Sequence, residues 1–143
     1  MNERAVAEES ARKQVLPKGA RSESILVVED NEAVREFSSD TLRDYGFNVL
    51  EAGDASEALR ILESRAPVDL LFTDIGLPGL NGGELVSTVQ RKYPTIRVLF
   101  TSGYAQMPSP TSSRWLSEIP LLSKPFTRSQ LFERVAQVLD GSV

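Results

Sequence analysis

The feature that most limits how this chain can fold is a series of short apolar runs separated by segments of helical length. Ile25–Val28 and Leu70–Thr73 are typical runs, and both have the length of buried strands. Because strands that alternate with helices pack into a parallel sheet covered on both faces, the pattern predicts an α/β fold. We expect five strands in the order 2-1-3-4-5, the flavodoxin-like form of a doubly wound sheet.

Cap and breaker residues define the limits of the predicted elements. Gly46 ends the first helix, and Pro67 and Pro94 follow the second and third, because the residue before a proline disfavours helix. The strands are predicted at 25–29, 47–51, 68–73, 96–101 and 119–123. The helices are predicted at 32–45, from Asp54 or Ser56 to 66, at 84–92, and from Thr127 or Ser129 to 139.

Two segments depart from this alternation. Residues 107–113, between the fourth and fifth strands, contain two prolines and four hydroxyl residues, a composition that disfavours a helix. We therefore predict that the fourth helix is short or disrupted, with Trp115 packing a late helical turn onto the sheet. Residues 1–22 are polar with mixed charge and are predicted to form a flexible leader, which leaves 23–143 as one domain.

The composition excludes several classes of function. The formal net charge of -4 argues against a nucleic-acid surface, and no apolar stretch is long enough to cross a membrane. The absence of cysteine fits a reducing compartment, and we expect a cytoplasmic protein. Histidine is absent as well, so the chain has no imidazole base, metal ligand or phosphoryl carrier. Any metal must be bound by oxygen, which favours Mg²⁺.

The residues that could carry chemistry follow the predicted strands. Glu29 and Asp30 come at the end of the first strand and Asp74 at the end of the third, while Thr101 and Lys124 follow the fourth and fifth. In open α/β sheets, ligands bind at the carboxyl ends of the strands, where the strand order reverses. With the order 2-1-3-4-5, the acids after strands one and three would face each other there.

Three neighbouring carboxylates repel one another, which raises their pKa values unless a cation intervenes. Mg²⁺ and Lys124 together would balance the charges of Glu29, Asp30 and Asp74, so the site could accept an anionic group beside the metal. A phosphoryl group fits, because a carboxylate can act as its nucleophile and a metal, an ammonium and a hydroxyl stabilise its oxygens. Asp74 is the best nucleophile candidate, since it stands alone before a glycine- and proline-containing turn.

With these residues in place, the chain resembles the receiver domain of two-component response regulators over roughly residues 24–140. The motifs that carry the resemblance are VVEDN at 27–31, FTDIGLPGLNG at 72–82, VLFTSGY at 98–104 and LLSKPF at 121–126. Together, in this order and spacing, they are highly specific. The third and fourth motifs look most like those of receivers attached to hybrid sensor kinases.

The resemblance implies a metal-binding role for four residues. Asp30 looks like a direct Mg²⁺ ligand, together with Asp74, and Glu29 looks like an acid that acts on the metal largely through water. The main-chain carbonyl of Gly76 looks like a further ligand of the metal. Mg²⁺ is therefore the expected cofactor.

The resemblance also implies how a phosphoryl group is handled. Asp74 looks like the phosphoacceptor, Thr101 like the switch hydroxyl and Lys124 like the lysine that contacts the phosphoryl group. The peptide bond between Lys124 and Pro125 looks like the family's cis bond. The expected phosphodonor is a histidine kinase or a histidine phosphotransfer protein, and phosphorylation would alter the binding of an output protein. No catalysis is expected beyond the chain's own phosphorylation and dephosphorylation.

The residues leave other functions open. A flavin- or nucleotide-binding domain needs a loop of glycine or hydroxyl residues after the first strand, but residues 29–32 are mostly acidic and would repel phosphate. A hydrolase similar to the haloacid-type phosphatases would carry Asp-x-Asp there, and Asp30 is followed by Asn31 and Glu32. A pseudo-receiver would bind partners without phosphorylation, although all the reactive residues are present. Each site residue taken alone could be a helix cap, a strand-end hydroxyl or a surface lysine.

The sequence departs from the family at Leu121, three positions before Lys124, where an aromatic residue is usual. No ring can change its rotamer at this position. We therefore expect the conformational signal to leave through residues 102–118, next to Thr101, rather than through one side chain.

Overall fold

A five-stranded parallel sheet lies at the centre of the fold, in the order β2-β1-β3-β4-β5. The structure is a computed structural model and describes residues 22–75, 82–102 and 119–141. The strands are β1 (Ser24–Val28), β2 (Asn48–Ala52), β3 (Leu70–Asp74), β4 (Arg97–Ser102) and β5 (Leu121–Ser123). The predicted fold class and strand order are confirmed.

Helices cover both faces of this sheet. In the described ranges they are α1 (Glu32–Asp44), α2 (Ala55–Glu63), α3 (Gly82–Lys92) and α4 (Arg128–Asp140). Three of them begin at side chains that accept a hydrogen bond from the first turn: Asn31 for α1, Asp54 for α2 and Thr127 for α4. Thr127 forms a full capping box with Gln130. Asp54 and Thr127, rather than Ser56 and Ser129, are thus the caps.

Most predicted boundaries differ from the structure by one or two residues, and the largest difference is at the end of α2. The α2 helix ends at Glu63, before the predicted limit of residue 66, and Ser64 is its C-cap. Arg65 follows in a left-handed conformation with φ 66°, which ends the helix before Pro67 can act. By contrast, Gly46 ends α1 as predicted, and its φ of 101° is one that glycine adopts without steric cost.

The side chains of each strand alternate between two apolar layers. On β1, Ile25 and Val27 pack with α1 and α4 on one face of the sheet, whereas Leu26 and Val28 pack with α2 and α3 on the other. Both layers are closed to solvent, and all four of these side chains are buried. These packed layers position the carboxyl ends of the strands, where the candidate site lies.

Several predictions lie outside the described residues. They are the leader predicted at residues 1–22, of which only residue 22 is described, the carbonyl of Gly76, and the helix and Trp115 between β4 and β5. Within the ranges that are described, no helix combines the length and the apolar character needed to cross a membrane.

Candidate functional site

The register of the sheet brings the ends of β1, β3, β4 and β5 together. Asp74 is the direct partner of Thr101 across β3 and β4, and Ile75, the residue after β3, donates its N–H to the carbonyl of Thr101 at 2.9 Å. The N–H of Lys124 donates to the carbonyl of Ser102 at 3.0 Å, which places Lys124 at the same edge. The predicted site residues on four different strands therefore share one surface.

Three carboxylates form a cluster at this edge. Glu29, Asp30 and Asp74 each offer one oxygen, and these oxygens all lie within 4.8 Å of one another. Glu29 and Asp74 are 3% and 1% exposed, whereas Asp30 is open to solvent. The cluster is therefore buried on one side and accessible through Asp30, which suits an exchangeable cation with oxygen ligands.

The ammonium group of Lys124 lies between the two buried acids. Its Nζ donates a hydrogen bond to Asp74 Oδ2 at 2.9 Å and lies 2.8 Å from Glu29 Oε1. The second contact is an ion pair at hydrogen-bond distance, and Glu29 Oε1 has no further partner among the described residues. That oxygen keeps a lone pair for another donor or for a metal-bound water.

Burial and charge act in opposite senses on the two ionisable groups of this ion pair. Burial raises the pKa of Glu29, and repulsion from Asp74 adds to it, while Lys124 and the N–H of Asn31 lower it by a smaller amount. For Lys124, burial alone would lower the pKa, but hydrogen bonding and attraction from Glu29 and Asp74 outweigh it and raise the pKa. Lys124 is therefore firmly charged, and Glu29 is an acid that burial makes costly to ionise.

Thr101 contributes a buried hydroxyl to the same edge. The residue is 2% exposed, and its Oγ1 has no hydrogen-bond partner in the described part of the chain. A buried hydroxyl left unpaired costs free energy, so functional sites are among the places where one persists. Because Thr101 is the strand partner of Asp74, a ligand attached to Asp74 could supply the missing partner.

The loop that carries the acidic pair is fixed by several hydrogen bonds. The N–H of Glu29 donates to the carbonyl of Ala52 at 3.1 Å, and its side-chain Oε2 accepts from the N–H of Asn31 at 3.1 Å. The carbonyl of Glu29 accepts from Arg35 Nη1 at 2.8 Å. Sequence reasoning missed Arg35, because its acceptor is a main-chain carbonyl and no residue pattern marks such a contact.

The structure thus brings together Glu29, Asp30, Asp74, Thr101 and Lys124, all of which were predicted from the sequence. The predicted cis peptide before the proline at position 125 is confirmed. Gly76, the sixth predicted site residue, lies outside the described ranges.

An apolar cavity of about 260 Å³ adjoins this site. Phe37, on α1, is 39% exposed, and among the described residues it is the one large hydrophobic side chain that is open to solvent. The cavity and the site share Lys124, and the residues that line the cavity are Ala33, Val34, Phe37, Lys124, Pro125 and Phe126.

Comparison with known proteins identifies the family. Residues 25–136 match the family model of the response regulator receiver domain. The sensor kinase CckA of Brucella abortus is 32% identical over 120 residues, which are 83% of this chain and 13% of that protein. The response regulator FleR of Pseudomonas aeruginosa is 31% identical over 79% of this chain and 24% of its own length. The chain thus spans a small part of these relatives.

Solved structures show the same fold. The receiver domain of the hybrid histidine kinase CckA is 36% identical, with a TM-score of 0.67, over 81% of this chain and 98% of that domain. The chemotaxis response regulator CheY4 of Vibrio cholerae is 27% identical, with a TM-score of 0.71, over 82% of this chain and 99% of its own. The chain therefore belongs to the response regulator receiver domain family, the phospho-accepting signalling modules of two-component systems.

Proposed function

We propose that Asp74 is the residue that accepts the phosphoryl group, in a reaction that requires Mg²⁺. The observation that carries this proposal is the position of its carboxylate. It is buried, it belongs to a cluster of three acids, and it lies 2.9 Å from the ammonium of Lys124. In the described ranges, this is the place where three potential carboxylate ligands converge.

The donor set fits a hard divalent cation. Receiver domains bind Mg²⁺ at an acidic pocket, and this chain has three carboxylates in such a pocket. Asp30 and Asp74 would hold the ion directly and Glu29 largely through water, with the carbonyl of Gly76 as a further ligand. When bound, Mg²⁺ would neutralise the acids and polarise the phosphoryl oxygens. The two positive charges of the ion and that of Lys124 balance the three carboxylates.

The transfer step is a displacement at phosphorus. One oxygen of the Asp74 carboxylate attacks the phosphorus of a phosphohistidine, and the phosphorus–nitrogen bond breaks as the phosphorus–oxygen bond forms. The electron pair of the broken bond stays with the imidazole nitrogen, which takes up a proton. Hydrolysis of the aspartyl phosphate later restores the carboxylate and releases inorganic phosphate. We propose that this chain catalyses no reaction other than these two on itself.

Lys124 and Thr101 would contact the product. Lys124 already reaches the Asp74 carboxylate, so its ammonium can follow the negative charge onto a phosphoryl oxygen. The unpaired hydroxyl of Thr101 would gain a hydrogen bond to the same group. A contact that exists in one state and not in the other is what biases a two-state equilibrium, so these two residues connect phosphorylation to conformation.

The apolar cavity beside Lys124 supports a protein as the phosphodonor. Receiver domains interact with histidine kinases or histidine phosphotransfer proteins. Phe37 and Pro125 form an apolar surface next to the acceptor, which would position a helix whose phosphohistidine faces Asp74. The output partner would respond to the phosphorylated conformation. A pseudo-receiver would not require the assembled acids, lysine and unpaired hydroxyl.

Mass spectrometry of the intact chain tests this function. The wild type, treated with acetyl phosphate and Mg²⁺, should gain one phosphoryl group, and the gain should disappear in EDTA or in Asp74→Asn. Asp40→Asn is the matched control, because Asp40 is an exposed acid on α1 outside the cluster. Phosphorylation of Asp74→Asn at the wild-type rate would contradict the assignment.

A further inference from the structure

We propose that Arg35 is a positioning residue that orients the metal-binding acids through the main chain. This inference rests on the proposed Mg²⁺ site. Arg35 lies on α1, and its Nη1 donates a 2.8 Å hydrogen bond to the carbonyl of Glu29. Its side chain is only 22% exposed, so the bond is largely shielded from competing water.

The carbonyl of Glu29 controls the direction of the next residue. The peptide unit is planar, so the orientation of this carbonyl also sets the orientation of the N–H of Asp30. The N–H of Glu29 is bonded to the carbonyl of Ala52 on the other side. Arg35 therefore completes the attachment of the strand end from which both acids project.

Asp30 depends on its main chain more than the other acids do. Glu29 and Asp74 are buried and contact Lys124, which holds their carboxylates in place. Asp30 is exposed, and in the described part of the chain its carboxylate has neither a hydrogen bond nor an ion pair. Its aim toward the cluster is therefore set by the backbone that Arg35 anchors.

A second arginine on the same helix provides a natural comparison. Arg35 Nε lies 3.5 Å from Glu51 Oε1, and Arg43 Nη2 lies 3.0 Å from Glu51 Oε2. Arg43 also donates to the main chain of β2, at Val49, but it has no contact with Glu29. Both arginines thus join α1 to β2, and only Arg35 reaches the acidic loop.

The two possible roles of Arg35 predict opposite changes in Mg²⁺ affinity when its side chain is removed. If Arg35 acted only as a nearby positive charge, its removal would relieve repulsion and tighten the binding of Mg²⁺. If it orients the acids, its removal loosens the site and weakens binding. Groups that orient metal ligands typically change metal affinity by about tenfold or more when they are mutated.

Titration of the purified chain with Mg²⁺, followed by calorimetry, separates these roles. We expect Arg35→Gln to weaken binding about tenfold and Arg35→Lys to recover part of the loss, because a lysine can still donate to a carbonyl. Arg43→Gln and Glu51→Gln should bind with the wild-type affinity. Binding by both Arg35 variants that equals or exceeds wild type would overturn the inference, while phosphorylation of the wild type would still support the proposed function.

A measurement without metal tests the same inference independently. In EDTA, Arg35→Gln should accelerate amide hydrogen exchange at Glu29 and Asn31, whose N–H groups donate to Ala52 and to the Glu29 side chain, relative to wild type and to Arg43→Gln. Arg35→Lys serves this test if the glutamine variant does not fold. Unchanged exchange at both amides would overturn the positioning role. Because this measurement uses no metal, its result does not depend on whether the chain binds Mg²⁺, which is the separate test of the proposed function.

Discussion

Asp74 and Lys124 are fifty positions apart in the sequence and are joined by a 2.9 Å hydrogen bond between Oδ2 and Nζ. Asp74 ends β3 and Lys124 follows β5, and these two strands are not neighbours, because β4 lies between them. The bond therefore passes the end of β4, where Thr101 places its unpaired hydroxyl. A chemical change at Asp74 would therefore alter contacts at the ends of three adjacent strands, β3, β4 and β5.

Replacement of Lys124 by alanine should separate phosphorylation from its conformational effect. Lys124 is not a proposed ligand of the metal, and its loss leaves all three carboxylates present, so we expect acetyl phosphate still to modify Asp74. The shift of amide resonances on addition of beryllofluoride should be largely lost, because the contact that distinguishes the two states is gone. Lys92→Ala, which removes an exposed lysine from the end of α3, is the control. A full set of resonance shifts in Lys124→Ala would contradict this role.

Glu29→Gln should stabilise the chain in EDTA at neutral pH. Burial raises the pKa of Glu29, so its ionised form is less favourable in the folded state than in the unfolded state. A neutral side chain of the same shape removes that cost, and we expect a gain on the order of 1 kcal/mol in thermal or urea unfolding. Saturating Mg²⁺ should reduce the gain, since wild type binds the ion more tightly.

The pH dependence of this difference has a definite sign. The folded chain binds more protons at Glu29 than the unfolded chain does in the window from the ordinary pKa of 4.5 up to the raised value. The cost of ionisation is therefore present above the window and disappears as the pH falls through it toward 4.5. The advantage of Glu29→Gln should shrink in the same direction. A constant advantage would show that charge is not its cause.

Thr101→Val should leave the free protein at least as stable as wild type while weakening the response to phosphorylation. Valine has nearly the same shape, and the hydroxyl that it removes is buried without a partner. The control is Ser39→Ala, which removes another buried, unpartnered hydroxyl on α1, outside the site. Both variants should hold or gain stability, and Thr101→Val alone should reduce the resonance shifts caused by beryllofluoride. Equal responses from the two variants would remove Thr101 from the switch.

Phe37→Glu should slow phosphotransfer from a protein donor and not from acetyl phosphate. Phe37 is exposed on the cavity beside Lys124 and is not part of the acid cluster, so its replacement removes apolar docking surface and leaves the three carboxylates unchanged. The comparison uses a phosphorylated histidine phosphotransfer protein and acetyl phosphate on the same preparation. Phe37→Leu, which keeps the surface apolar, should behave as wild type. Equal slowing with both donors would place the defect in the site itself.

Local chemistry explains why much of the fold could be predicted. Asn31, Asp54 and Thr127 cap their helices through hydrogen bonds to residues three positions away, so a short stretch of sequence contains the whole signal. The end of α2 could not be predicted in this way. There, Arg65 adopts a left-handed conformation that its side chain does not favour.

In the site, the contacts between side chains could be predicted from the sequence, whereas the contact to the main chain could not. Asp74 and Lys124 could be placed together because each follows an apolar strand, and parallel strands end at one edge. Arg35 could not, because its acceptor is a main-chain carbonyl, which every residue carries. The unpaired state of the Thr101 hydroxyl is a property of packing, and no residue pattern encodes it.

The central claim is that Asp74 receives the phosphoryl group. Reduction of the phosphorylated chain with borohydride converts an aspartyl phosphate to homoserine, which peptide mass spectrometry can locate. We predict homoserine at position 74 after treatment with phosphodonor and Mg²⁺, and none after treatment in EDTA. Homoserine at position 30 instead, or an adduct that leaves position 74 as aspartate, would contradict the claim.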